Sequence, residues 1–120
     1  MNTKYVGIIL YDFPMQSQED ILEYRSFRKS IIGKGYYQLQ ESVYIVNSDT
    51  KEHIETIEKE VSIIASSRAS IRSLILTEEQ FKRMKVLSGE MTLGETIVRK
   101  ERKILEFWDV NGRKKVQNML

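Results

Sequence analysis

The sequence predicts an α+β protein in which a four-stranded antiparallel sheet packs against two helices. Apolar, β-branched and aromatic residues concentrate in three segments, which begin at Tyr5, Tyr36 and Ala69 and have the composition of strands. The two segments between them repeat their apolar residues at three- and four-residue spacing, which is typical of amphipathic helices. A chain of 120 residues is long enough for one domain with one core.

The first strand is predicted from Tyr5 to Tyr11, because this segment is a nearly unbroken apolar and aromatic run. It stops at Asp12, and Pro14, the only proline of the chain, follows. The strand therefore delivers one carboxylate to its own carboxyl end, where loops often carry functional groups on a rigid support. An Asp in such a turn also caps backbone amides in many proteins, so the residues alone leave both roles open.

The first helix is predicted to begin after Ser17, a favourable N-cap residue that has Asp20 three positions later. It is expected to run to about Ile32, because glycines at 33 and 35 follow. Its buried side is predicted from an apolar stripe with helical spacing, made of Ile21, Tyr24, Phe27 and Ile31.

Positive charge is concentrated in two places. Arg25, Arg28 and Lys29 have spacings that bring them together on the surface of the first helix, and we call them the helix-1 basic patch. Residues 97–120 hold seven Lys or Arg against three Asp or Glu, although the formal net charge of the chain is only +2. Both clusters are candidates for contact with a nucleic-acid backbone, although most such clusters in proteins are simply solvated.

Two short strands are predicted between Tyr36 and Asn47, separated by a bend or bulge at Glu41-Ser42. A second amphipathic helix is predicted over residues 51–65, where apolar residues recur at helical spacing after a group of capping residues. His53 lies early in this helix among charged residues and is assigned no role.

A fourth strand is predicted from Ala69 to Thr77. Thr77 and Gln80 then have the spacing of a capping box, which predicts a short helix from Glu78 to Val86.

This order of elements is the ferredoxin-like βαββαβ arrangement, and we assign residues 1–87 to it. Both helices of that fold cover one face of the sheet, so the opposite face is expected to be open. Because an open apolar face is usually closed by a partner, we expect a homodimer.

Residues 88–120 are predicted to form a connector followed by a C-terminal strand or hairpin that packs on the dimer partner. Asn111-Gly112 is a strong two-residue hairpin signal and separates two strand-like segments, 103–110 and 113–120. A strand at the end of a polar connector adds readily to a sheet edge of its own subunit or of a neighbour. We expect this strand to pair with a sheet edge of the neighbouring subunit.

Composition excludes several kinds of site. The chain has no cysteine, so disulfides, thiolate nucleophiles and cysteine-containing zinc sites are not available. No apolar run reaches the length of a membrane span, and the beginning of the chain lacks the pattern of a signal peptide. We therefore expect a cytoplasmic protein without membrane contact.

Four segments together resemble the CRISPR-associated Cas2 family, and its type II branch in particular. They are Tyr11-Asp12-Phe13-Pro14 after the first strand, Tyr24 to Lys29 in the first helix, Gly35 to Tyr44 at the hairpin, and Thr77 to Met84 with Gly89-Glu90. The similarity spans residues 5–108 of the chain.

The resemblance implies a homodimer that acts with the integrase Cas1 to capture foreign DNA as new spacers. It also implies a Mg²⁺-dependent endonuclease, with Asp12 as the metal-binding and catalytic residue. The family's aromatic residue before this Asp falls on Tyr11, and its Gln-x-Ser-Val-aromatic motif falls on Gln40 to Tyr44, so Tyr11 and Ser42 are the other candidate catalytic residues. Many relatives carry an Arg shortly before that motif, where this chain has Gln38.

One Asp per chain is too few to enclose Mg²⁺, which typically takes one or two carboxylates together with water and substrate phosphate. If a two-fold axis brings Asp12 of each subunit together, the pair would hold one ion, which would lower the pKa of a bound water and so generate a nucleophile. Tyr11 or Ser42 would then orient the substrate.

Two functions remain open at this stage. In the first, the dimer is a metal-dependent phosphodiesterase that cuts RNA or DNA at paired Asp12 residues. In the second, it is a non-catalytic scaffold whose helix-1 basic patch and tail bind duplex DNA while the integrase performs strand transfer. A small-molecule sensor is a third option, for which the sequence shows no Gly-rich phosphate loop.

Overall fold

The computed structural model describes residues 4–92, 104–108 and 114–118. Its elements are β1 (Tyr5–Asp12), α1 (Gln18–Gly33), β2 (Tyr37–Gln40), β3 (Val43–Ser48), α2 (Lys51–Ile64), β4 (Ser70–Thr77), α3 (Glu78–Lys82), β5 (Ile104–Trp108) and β6 (Lys114–Asn118). Strands β1 to β4 form one antiparallel sheet in the order β2-β3-β1-β4. The α+β, ferredoxin-like prediction is confirmed.

β1 lies inside the sheet and is buried on both of its faces. Ile9 and Tyr11 belong to the larger core, which contains the buried side chains of α1 and α2, and we call this side of the sheet the helix face. Val6 and Ile8 belong to a smaller cluster on the opposite side, which we call the open face. The alternation follows from the pleat of a strand, which directs successive side chains to opposite faces.

By the side chains of residues 4–92, the open face is covered at one end only. Phe81 of α3 is fully buried in the cluster with Val6, at the end of the sheet where β4 leads into α3. Towards the other end, the side chains of Leu10 and Leu74 are 43% and 54% exposed. The expectation of an uncovered apolar face therefore holds for the end of the sheet that carries Asp12.

The capping box predicted at Thr77 and Gln80 is present, and the predicted N-cap Ser17 forms a second one with Asp20. The Ser17 side chain accepts a hydrogen bond from the backbone of Asp20, whose carboxylate accepts one from the backbone of Ser17, and Thr77 and Gln80 repeat this arrangement. The prediction that α3 reaches Val86 is wrong, because the helix ends at Lys82. The Met84 N–H donates to the Phe81 carbonyl three residues back, and residues 82–92 contain no buried apolar side chain that would hold a further turn against the sheet.

The connection between β2 and β3 is the predicted bend at Glu41-Ser42. Ser42 has a φ of +63°, in the left-handed region, and the pairing register shifts between Gln38 and Gln40. A short bulged hairpin is therefore present where the sequence predicted one.

The tail contains the two predicted strands. β5 and β6 pair in antiparallel register, from Ile104 opposite Asn118 to Trp108 opposite Lys114. The Asn111-Gly112 turn lies outside the described residues. The division of the chain at residue 87 and the packing of the tail on a partner stay predictions. None of the helices in the described ranges has the length and apolarity that a membrane crossing requires.

A buried carboxylate links α1 to the loop before β4. The Asp20 side chain is completely buried, accepts hydrogen bonds from the backbone of Gln16 and Ser17 at 3.0 and 3.1 Å, and pairs with Arg68 Nη2 at 2.6 Å. Burial alone would raise the pKa of Asp20, but the two backbone amides and the Arg68 guanidinium together lower it. Asp20 is therefore an ionised anchor between two connections.

We predict that Gly7→Ala destabilises the protein. A Cβ at Gly7 would lie 2.7 Å from Ile54 Cγ2 and 3.2 Å from Val46 Cγ1, and Ile54 is fully buried, so the core must shift to accommodate it. We expect the free energy of unfolding to fall by about 1–3 kcal/mol in urea titrations. Gly33→Ala is the control, because its Cβ would meet nothing within 4 Å. Equal stability of the two variants would contradict this packing.

We predict that the stabilisation by Asp20 depends on pH. Because the folded state lowers the pKa of Asp20, its contribution is fully present above the ordinary Asp pKa of about 4 and is lost as the pH falls through the lowered pKa. Asp20→Asn should therefore be less stable than wild type at pH 7, and the difference should shrink below about pH 4. Urea titrations from neutral to acid pH measure this, with Asp49→Asn, at an exposed position, as control. A pH-independent difference would contradict the ionised anchor.

Candidate functional site

Three connections meet at the end of the sheet that carries Asp12, which we call the Asp12 end. Asp12 is the last residue of β1 and pairs with Ser70, the first residue of β4. The Tyr11 N–H donates to the Ser42 carbonyl at 3.1 Å, which sets the β2–β3 turn beside the end of β1. The structure thus brings the predicted site residues Asp12 and Ser42 to one end of the sheet.

The Asp12 side chain is exposed and, by strand alternation, lies on the open face together with that of Leu10. In residues 4–92 and the two tail strands, no group of three or more His, Cys, Asp or Glu side chains is arranged to hold a metal ion. The described part of one subunit therefore offers Asp12 as an oxygen ligand, but not the set of three or more such side chains that would enclose an ion. Such a ligand suits an ion that completes its shell with water, phosphate and a second carboxylate.

Tyr11 lies on the helix face, in a cluster of aromatic rings. Its ring centroid is 5.2 Å from that of Phe27, 5.8 Å from Phe13, 5.9 Å from Tyr44 and 6.0 Å from Tyr24. Burial, together with the phenols of Tyr44 and Tyr24, raises the pKa of Tyr11, so its hydroxyl stays protonated at neutral pH. This placement gives Tyr11 a packing role and separates it from Asp12, although the two residues are adjacent in sequence.

All three side chains of the helix-1 basic patch are exposed. Arg28 differs from the other two, because its Nε donates a hydrogen bond to the Tyr44 hydroxyl at 2.6 Å. The patch belongs to the helix layer, whereas Asp12 belongs to the open face. The helix-1 basic patch and Asp12, which the sequence suggested as parts of one functional site, therefore lie on opposite sides of the sheet within one subunit.

Sequence reasoning missed two long-range contacts near this site. Asp20 was identified only as a capping residue, and its partner Arg68 lies in a loop without a recognisable motif. The bond between Arg28 and Tyr44 joins residues 16 positions apart. Local patterns marked Asp20, Arg28 and Tyr44 separately, but only the fold shows which residues are partners.

The comparisons with known proteins agree with this architecture. A family model described as CRISPR associated protein Cas2 matches residues 4–84. The protein named CRISPR-associated endoribonuclease Cas2 from Ligilactobacillus salivarius is 37% identical over 83 residues, which cover 69% of this chain and 82% of the relative. The protein of the same name from Campylobacter jejuni is 30% identical over 115 residues, which cover 92% of this chain and 78% of the relative.

A third relative extends the range of source organisms. A CRISPR-associated endoribonuclease Cas2 from Streptococcus mutans strain UA159 is 33% identical over 86 residues, which cover 69% of this chain and 76% of the relative. The family model spans the whole four-stranded sheet and α1 to α3. The chain therefore belongs to the CRISPR-associated Cas2 family.

Proposed function

We propose that this protein is a CRISPR adaptation protein, a homodimer that binds duplex DNA together with the integrase Cas1 during spacer acquisition. Its family and the names of its relatives support a role in CRISPR systems. The single observation that supports DNA binding is that all three cations of the helix-1 basic patch are exposed. Among the described residues, none of the three forms an ion pair, so their charge is available to phosphates.

The open face supports the homodimer. Leu10 and Leu74 are exposed on adjacent strands at the Asp12 end, and large exposed apolar side chains that lie together favour burial against a partner. If two open faces pack around a two-fold axis at this end, both leucines are buried and the two Asp12 carboxylates approach each other. The tail strand would add to this contact by pairing with a sheet edge of the partner.

We further propose that the paired Asp12 carboxylates hold Mg²⁺ and that the dimer cleaves phosphodiester bonds in RNA or DNA. The exposed carboxylate at a rigid strand end is the oxygen ligand that Mg²⁺ prefers. A bound ion would neutralise phosphate charge and lower the pKa of a water molecule that acts as nucleophile. Ser42, at the same end of the sheet, would contact the substrate, whereas Tyr11 supports the strand from the helix face.

A purely non-catalytic scaffold is the second candidate. The separation of the helix-1 basic patch from the open face favours it, because backbone binding by the patch then requires no contribution from Asp12. In that case the dimer aligns duplex DNA for the integrase, and paired Asp12 residues have no chemical role in acquisition.

We predict that Asp12→Asn abolishes metal-dependent cleavage and leaves duplex binding intact. Loss of the ligand should lower the Mg²⁺-dependent cleavage rate of RNA and DNA by at least about 100-fold, as removal of a single catalytic group commonly does. The affinity for duplex DNA, measured at the same salt, should stay within a small factor of wild type. Spacer acquisition in cells with Cas1 separates the two candidates, because intact acquisition supports the scaffold and lost acquisition supports catalysis.

The control for this prediction is Glu41→Gln, which removes an exposed carboxylate from the same end of the sheet. It should cleave as wild type does. Cleavage by Asp12→Asn at the wild-type rate would contradict the proposal that Asp12 binds the metal ion.

We predict that Leu74→Lys weakens the homodimer by about tenfold or more, because it places a charge in a contact that buries an apolar side chain. Light scattering across a protein dilution series measures the dissociation. Ile63→Lys is the matched control, since Ile63 on α2 is 81% exposed and does not belong to the open face. A monomeric wild-type protein at micromolar concentration would contradict the homodimer itself.

A further inference from the structure

We propose that Tyr44 is a positioning residue for nucleic-acid binding, because its buried hydroxyl holds the Arg28 guanidinium ready for a backbone phosphate. This inference rests on the proposed function of the helix-1 basic patch and adds to it the residue that orients the patch. The bond from Arg28 Nε to the Tyr44 hydroxyl is 2.6 Å long and connects α1 to β3.

Tyr44 is a rigid support for this bond. Its side chain is only 1% exposed, and its ring stacks on that of Tyr11 with a centroid distance of 5.9 Å and an interplanar angle of 30°. Tyr11 is in turn packed against Phe13, Tyr24 and Phe27. Because the ring cannot turn without displacing this cluster, its hydroxyl has a fixed position relative to α1.

The hydrogen bond to Tyr44 leaves the two terminal nitrogens of Arg28 free to bind a ligand. A guanidinium has five N–H donors, and the contact with Tyr44 uses the one on Nε, so four remain on the two terminal nitrogens. Within the described ranges no carboxylate pairs with Arg28. The positive charge is thus uncompensated, and the terminal nitrogens have the geometry for a two-oxygen contact with phosphate.

The hydrogen bond to Tyr44 lowers the conformational entropy that Arg28 loses when it binds a phosphate. A free arginine loses rotamer freedom when it grips a phosphate, whereas one that is already held loses less. Arg25 and Lys29 make no such hydrogen bond to another described residue. Arg28 is therefore the member of the patch that is oriented before DNA arrives, and the other two contribute charge without fixed geometry.

The test is a double-mutant cycle on duplex binding by the full-length protein. Tyr44→Phe removes only the hydroxyl and keeps the ring in the core, Arg28→Ala removes the cation, and the third variant combines both. Fluorescence anisotropy with a labelled duplex over a range of NaCl concentrations gives the affinity and its salt dependence. Tyr24→Phe is the matched control, because Tyr24 belongs to the same aromatic cluster and donates or accepts no hydrogen bond with Arg28.

We expect Tyr44→Phe to weaken binding several-fold, although it changes no charge, and Tyr24→Phe to bind as wild type does. Arg28→Ala should weaken binding and reduce the slope of log K against log salt by about 0.9, which corresponds to one phosphate contact. The double variant should be no weaker than Arg28→Ala alone, because the hydroxyl acts only through that side chain. A merely structural role for the hydroxyl would give additive losses.

Arg28→Lys covers the case in which Tyr44→Phe does not fold, since it keeps the charge and removes the Nε donor without touching the core. It should lose affinity as Tyr44→Phe does. Wild-type affinity of Tyr44→Phe or of Arg28→Lys, or additive losses in the cycle, would overturn the positioning role and leave DNA binding by the patch intact. A wild-type protein that binds duplex with no salt dependence would instead overturn the proposed function and this inference with it.

Discussion

The alternation of side chains along β1 is the constraint on which the rest of the structure depends. β1 pairs on both sides, with β3 and β4, and buries apolar residues on both faces. A slip of one residue would move every one of these side chains to the wrong face. The aromatic cluster around Tyr11 therefore fixes more than the helix layer, because it also determines that Asp12 lies on the open face, next to the exposed Leu10.

The connections at the Asp12 end are held by a few specific contacts. The ionised Asp20 joins the beginning of α1 to the loop before β4, and the bond between Tyr11 and Ser42 joins β1 to the β2–β3 turn. Asp12 is thus an exposed acid on a rigid frame, which is what a shared ion site requires. The basic patch on the other side of the sheet has its own support in Tyr44. The proposed DNA binding and the proposed metal chemistry can therefore be tested by separate mutations.

The sequence predicted the elements and their order because hydrophobic periodicity and capping boxes are local signals. Ser17 with Asp20 and Thr77 with Gln80 marked helix starts correctly. The end of α3 was not predictable in this way, since it depends on whether residues after Phe81 find something to pack against. Adjacency in sequence also suggested that Tyr11 and Asp12 act together, whereas strand geometry sends them to opposite faces. Pairs such as Arg28 with Tyr44 exist only once the chain is folded.

The central claim is that one Asp12 from each subunit shares a divalent ion at the dimer axis. Two carboxylate oxygens that bind one Mg²⁺ at about 2.1 Å must lie within about 4 Å of each other. The most direct measurement is the separation of the two Asp12 carboxylates in a crystal structure of the dimer grown with Mg²⁺. We predict one ion between them, bound by an oxygen from each subunit. Carboxylates too far apart for a single ion to bridge, in every assembly in the crystal, would contradict the account.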